Sequence, residues 1–383
     1  MPGPRTLTTT LLAVTLAFCL QGVSTAGAAA RPRSRVSPTL SLVHPVFSAE
    51  RADIAMHRDF DAPHDLLTEV AEPGSRAQYA FAWSTSQALA ADIAVAKVTK
   101  SPVAVARVRR DLTGLSHYWN GAGSPPGYDS YVVSPLGNGG ARFYDDNAWI
   151  GLDLVRAYQL LGEPALLQRA EEVFAFTKSG WDANPSDAYP GGVFWTESRA
   201  NRDRNTVSTS GAANLGLQLY LINRKQADLE TASSMLAWVN ATLRGPNGLY
   251  WDHISLNGRI AKRQWSYNQG MMLGAYLLLN RATGETTALQ QAEAIATASL
   301  GAFRAGEYRS QPAIFNAIYF RNLAELNLTA PHKAYVNAMR TFVASVDSHV
   351  SRRTGIIRFE RLVHLLGQAA ATTANADLAM VEQ

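Results

Sequence analysis

Apolar residues recur along this chain with the period of helices that are buried rather than half-exposed. Between Asn147 and Leu161 they occupy positions 149, 150, 152, 154, 155, 157, 158, 160 and 161, nearly the full circumference of a helix. The run stops at Gly162, and Glu163-Pro164 opens a second, more amphipathic helix, a common stop and start signal. The same junction returns later. "LGEPALLQRAEEV" (Leu161 to Val173) aligns with "TGETTALQQAEAI" (Thr283 to Ile295), pairing Gly162 with Gly284 and Ala170 with Ala292. The offset of 122 residues is two periods of about 61, and "INRKQADLETASSML" (Ile222 to Leu236) fills the place between them without the glycine.

This spacing predicts helical hairpins over residues 78–118, 144–178, 207–243, 265–302 and 313–348. A short helix is expected near Ala49 to Arg58 and a last one from Arg358 to Thr372. The long loops between hairpins carry short β-like pieces, "GGVFW" (Gly191 to Trp195) and "GLYWD" (Gly248 to Asp252). Hairpins in this number build either an open superhelix or a closed double ring. Helices buried on all sides, and a hairpin count approaching six, favour the closed form: an all-α (α/α)6 barrel with short β-hairpins in its loops. No Pro- or Ser-rich linker divides the chain after its first residues, so residues 48–383 are expected to be one catalytic domain.

The first residues read differently. Arg5, the apolar "LLAVTLAFCL" (Leu11 to Leu20) and the small-residue "AGAAA" (Ala26 to Ala30) form an export signal over residues 1–30, followed by a flexible leader over 31–47. The apolar run is too short for a permanent membrane span. The one cysteine, Cys19, lies inside this segment, and bulky Phe18 before it argues against lipid attachment. The expected product is a secreted, soluble monomer without disulfides. Asn240 and Asn327 open sequons that matter only in a host that glycosylates them.

Composition then narrows the chemistry. A chain of 383 residues, 47% hydrophobic and 17% charged, has ample material for a large core. Its formal charge of +4 is spread out, without the basic stripe of a nucleic-acid binder. The histidines are dispersed and show no metal-ligand spacing, and no Walker loop, dinucleotide fingerprint or GxSxG elbow is present. No metal and no cofactor are expected. What remains is aromatic and acidic. Tyr144, Trp149, Trp181, Trp195, Tyr250, Trp251, Trp265 and Tyr267 fall in loops or at helix starts, where ring faces can pack on sugar C–H surfaces.

Asp145 and Asp146 stand side by side where the apolar helix begins. One aspartate would serve as a helix cap, with the other a solvated neighbour. Glycoside hydrolysis needs two carboxyl groups, roughly 5–5.5 Å apart for retention and roughly 6.5–9.5 Å for inversion. Consecutive helical residues diverge by about 100°, so both can reach one cleft only at a helix start. Close carboxylates also split their pKa values, one up and one down, as an acid and a nucleophile require.

Asp145-Asp146 with Trp149, then "GGVFW", "WSYNQGMMLGAYLLL" (Trp265 to Leu279), "FNAIYFRNL" (Phe315 to Leu323) and "LLGQAA" (Leu365 to Ala370) together resemble glycoside hydrolase family 76, over roughly residues 78 to 372. The resemblance implies an endo-α-1,6-mannanase that uses Asp145 as nucleophile and Asp146 as general acid/base. Asp252 is placed like a third acidic residue that bonds sugar hydroxyls in that family. The other expected substrate-binding residues are Tyr144, Asn147, Trp149, Trp195, Asn205, Trp265, Tyr267, Asn268, Gln269, Phe315 and Arg321, and the expected partner is α-mannan. Asn316-Ala317 departs from the Lys-Gly pair common in the family's last motif. A transglycosidase, or a non-catalytic mannan-binding protein on the same fold, would share most of these features.

Overall fold

The computed structural model describes residues 44–71, 78–303, 308–359 and 362–383, with the side chain of Arg309 also left aside. The expected signal and most of the leader therefore lie outside the described residues. The first helix, α1, spans Pro45–Phe60, so the last three residues assigned to the leader are helical, with Pro45 pre-set for the first turn. Then follow α2 (Ala82–Thr99), α3 (Pro102–Ser116), α4 (Tyr144–Leu161), α5 (Pro164–Ser179), α6 (Thr206–Asn223) and α7 (Gln226–Thr242). The chain ends with α8 (Ser266–Thr283), α9 (Thr286–Ala302), α10 (Ala313–Thr329), α11 (Lys333–Asp347) and α12 (Leu365–Glu382).

The even-numbered helices pack side by side in sequence order, and α12 returns to α2, so they close an inner ring. The odd-numbered helices back them as an outer ring. This is the (α/α)6 barrel. Five hairpins are consecutive in sequence, whereas the sixth joins the two ends: α1 packs along α12 much as α5 packs along α4. No helix among the described residues is long and apolar enough to cross a membrane.

The repeat has a conformational cause. Four inner helices end in a left-handed residue: Lys100 at φ 54°, Gly162 at 72°, Arg224 at 57° and Gly284 at 77°. Glycine meets this requirement without strain, and the intermediate repeat meets it with arginine. Inner helices also approach closely. A Cβ added to Gly270 would lie 2.6 Å from the Tyr319 Cα on α10, so glycine is required there.

Two expectations need correction. The last helix begins at Leu365 rather than near Arg358 and continues to Glu382. Upstream, Val350 bridges Ile357 and His364 bridges Val70, so that backbone is spent on sheet-like pairing. Downstream, the polar-looking "TTANAD" is buried in the ring, with Thr372, Thr373, Asn375 and Asp377 all nearly inaccessible. The β pieces are also shifted. "GGVFW" and "GLYWD" make only single bridges. The ladders are β1 (Trp119–Asn120) with β2 (Gly127–Tyr128), and an antiparallel sheet in the order β3 (Arg204–Asn205), β4 (His253–Ile254), β5 (Ile260–Ala261).

Candidate active site

The two ends of the barrel differ. At one, successive inner and outer helices join through short turns such as Gly162-Glu163 and Arg224-Lys225. At the other, long loops run from each outer helix to the next inner one, crowding the N-termini of the inner ring. Loops on a rigid scaffold, next to helix N-termini that favour negative charge, make this the functional end.

Asp145 and Asp146 occupy the second and third positions of α4, half-buried under these loops. Their surroundings are unequal. Asp145 Oδ1 accepts the Asp146 backbone N–H at 3.1 Å, and Oδ2 accepts the Trp195 indole N–H at 3.1 Å. The Trp195 ring is held by Phe143, 5.0 Å away, and its backbone carbonyl accepts the Tyr144 N–H. Burial raises the Asp145 pKa to about 7, opposed by these donors and reinforced by the charge of Asp252. Asp146 accepts no hydrogen bond among the described residues; burial and the Asp145 charge push its pKa well above its ordinary value. Both carboxyls are therefore raised, unequally, rather than one up and one down as the sequence predicts, because burial acts on both and only Asp145 has donors to oppose it.

Facing this pair is the sheet of β3, β4 and β5. The register of β3 and β4 sets Asn205 opposite His253. Asp252 accepts from His253 Nδ1 at 3.0 Å and from the Asn268 amide at 3.2 Å, while Asp203 lies 3.7 Å from His253 Nε2. The carboxylates raise the His253 pKa against the opposing effect of burial. Asn205 Oδ1 is buried without a partner. Tyr267 stacks on Phe315 with centroids 4.0 Å apart and planes 9° apart, and Trp265 meets Phe315 edge-on at 5.4 Å. Burial raises the Tyr267 pKa, as do the nearby charges of Asp252 and Asp145. Trp195 thus bonds Asp145 directly, and Asp252 and Tyr267 lie within its electrostatic reach; Asn268 is tied to Asp252, Phe315 to Tyr267, Trp265 to Phe315, and Asn205 lies opposite His253. His253, the one histidine the sequence sets beside a candidate site residue, joins them, and so does Asp203, which residue spacing did not reveal and which the pairing of β3 with β4 brings to His253.

Five expected substrate contacts lie elsewhere. Tyr144 is buried between layers and stacks on Phe176 of α5 at 4.8 Å. Trp149 packs in the core against Trp83. Asn147 and Gln269 are sealed, and each ties an inner helix to its preceding loop. Asn147 bonds the N–H and C=O of Tyr128 and the C=O of Phe143, and Gln269 does the same with Tyr250 and Trp265. Gln368 repeats the pattern with the Ile357 N–H and Gly355 C=O, and Asn316 donates to the Tyr308 C=O. Asn316, which departs from the family pattern, is therefore a structural tie. Arg321 sits two turns down α10 and lines a cavity of about 210 Å³ at the opposite end, with Lys97, Arg156, Glu325 and Asp377.

A buried guanidinium braces the cleft loops. Arg204 reaches Asp182 at 2.8 Å and the carbonyls of Ala188, Tyr189 and Ser255 at 2.9 Å each. It joins the segment before "GGVFW" to the sheet bearing His253.

The family model described as Glycosyl hydrolase family 76 matches residues 61–358. The mannan endo-1,6-alpha-mannosidase DCW1 of Candida glabrata is 26% identical over 186 residues, 45% of this chain and 41% of its own. The chain thus spans about two fifths of that curated relative. A family 76 mannosidase of Bacteroides thetaiotaomicron superimposes with a TM-score of 0.78 at 23% identity, covering 88% of this chain and 98% of that one. An inactive α-1,6-mannanase variant of Salegentibacter sp. HEL1_6, with two consecutive aspartates changed to alanine and α-1,6-mannotetrose bound, gives a TM-score of 0.76 at 21% identity, covering 88% of this chain and all of that one. At these identities the superpositions establish the fold.

Proposed function

This chain belongs to glycosyl hydrolase family 76, and on that premise we propose that it is a secreted endo-acting enzyme that cleaves α-1,6-mannosidic bonds in mannan with retention of configuration. The observation that carries the reading is the unequal setting of the aspartate pair. Asp145, with donors from the Asp146 N–H and the Trp195 indole, is the carboxyl better able to hold negative charge, as a nucleophile must. Asp146, without a donor, keeps its proton, as a general acid must.

The steps follow. Asp145 attacks the anomeric carbon while Asp146 passes its proton to the departing glycosidic oxygen, leaving a mannosyl ester on Asp145. Asp146, now a carboxylate, takes a proton from water as the water oxygen attacks the same carbon, and the Asp145 ester bond breaks. The Trp195 indole N–H steadies Asp145 as a leaving carboxylate in this second step. Asp252, oriented by Asn268 and His253, is suited to accept hydrogen bonds from sugar hydroxyls, and the Tyr267, Phe315 and Trp265 cluster to pack against pyranose faces. The chemistry needs no metal or cofactor, and the enzyme is expected to act as a monomer.

Incubating the purified protein with linear α-1,6-mannan and following fresh anomers by proton NMR tests this directly. Short oligosaccharides released first as α-anomers are expected, and β-anomers would rule out the assigned nucleophile. Asp145→Asn and Asp146→Asn should each fold and lose several orders of magnitude in kcat, on the scale of removing a nucleophile or an acid. Near-wild-type turnover in either would remove that residue from the mechanism.

A further inference from the structure

Far from the cleft in sequence, α1, α2 and α3 bring together Asp53, His57, Asp92 and Asp111, all buried. The His57 ring is fixed at both ends, with Nδ1 3.1 Å from Asp61 Oδ1 and Nε2 2.9 Å from Asp92 Oδ2. Asp53 Oδ1 lies 3.8 Å from the same Nε2. Arg107 takes the other oxygen of Asp53, and Arg110 takes the second oxygen of Asp61. That leaves Asp53 Oδ1, Asp92 Oδ1 and both oxygens of Asp111 sealed from water with no donor outside the carboxyl groups themselves, Asp92 lying within hydrogen-bonding reach of Asp53 and Asp111. Buried carboxylates in this state are costly unless a cation or a proton joins them.

We propose that Asp53, His57 and Asp92 bind a first-row divalent cation of the zinc or manganese class, which staples α1 to α2. One ligand atom from each of the three lies within 4.8 Å of the others. Bonds of about 2.0–2.2 Å to nitrogen and oxygen set neighbouring ligands about 3 Å apart at a right angle and wider at larger angles; the 2.9 and 3.8 Å separations fit that range. A proton on Nδ1 donated to Asp61 leaves the Nε2 lone pair free for the metal, the usual carboxylate–histidine–metal arrangement. Imidazole with two or three carboxylates suits such ions better than calcium, which takes six to eight oxygens. Because α1 and α2 flank the place where the ring closes, the ion would act on stability and leave the chemistry of the cleft alone.

The test uses tag-free protein. Elemental analysis by mass spectrometry is expected to find one divalent ion per chain. Dialysis against EDTA should remove it and lower the thermal midpoint, and Zn²⁺ or Mn²⁺ should restore the midpoint. His57→Gln and Asp92→Asn should purify without metal, and EDTA should leave their midpoints unmoved, whereas Asp145→Asn keeps its full complement. If those variants fail to fold, the wild-type response to EDTA and to added ion decides alone. Wild-type protein without metal, and with a midpoint indifferent to both EDTA and added ion, would overturn the proposal and leave shared protons closing the cluster.

Discussion

Asp145 and Asp146 are neighbours in sequence but differ in the donors they meet, and this difference has a consequence for stability. The folded-state pKa of Asp146 is raised, so the fold favours its protonated form. The stability this gives is present below the unfolded value of about 3.9 and is lost as pH rises through the raised value. Asp146→Asn removes that loss. The variant is expected to melt close to wild type near pH 4 and above it near pH 8, as thermal scans at the two pH values would reveal. A gap that does not change with pH would mean that burial does not hold the Asp146 proton. The pair itself was legible in sequence, because adjacent carboxylates at a helix start are conspicuous. Asn147 and Gln269 were not, since an amide that bonds a sugar and one that bonds a loop backbone look alike until the loop is in place. Arg321 could have been placed by length alone: eight residues below the start of α10 is about 12 Å along the axis.

At the scale of elements, the hairpins were readable because their apolar period and left-handed ends repeat. The boundaries of the last helix were not, because "RFERLVHLL" has helical spacing while the backbone of Val363, His364 and Leu365 pairs with Glu69, Val70 and Ala71. Prediction at this scale concerns the ties between inner helices and loops. Gln269→Leu strips the Tyr250 N–H and C=O of their partners inside the core. Leaving two buried backbone groups unpaired should cost about 2–4 kcal/mol, measurable by urea unfolding. Because Tyr250 is two residues from Asp252, kcat on mannan should fall with it. A variant as stable and active as wild type would show that the β4 segment holds its place without this tie.

At the scale of the molecule, the ring is completed by helices from opposite ends of the chain. Joining Gln383 to His44 through a short linker, and opening the chain at Gly162-Glu163, would turn the split hairpin into a continuous one and a continuous one into a split one. Such a permuted protein is expected to fold cooperatively and to keep the mannan cleavage proposed above, checked by thermal melting and a reducing-end assay. Loss of folding would mean that the turn between α4 and α5 does more than connect them. The sequence signalled five hairpins plainly, and the two end helices as well; that these two pair as the sixth hairpin emerged with the structure.

That meeting has a cost in time. As the chain leaves the ribosome, α1 meets α2 early, but most of its apolar face waits for α12 at the far end of the chain. Each inner helix from α2 to α10 finds a neighbour soon after it appears, yet the circle stays open until α12 is out. Contacts so distant in sequence form late and slowly. Until α12 is in place the inner ring has two unsealed edges, α2 and α10, and the barrel cannot gain its full resistance to opening.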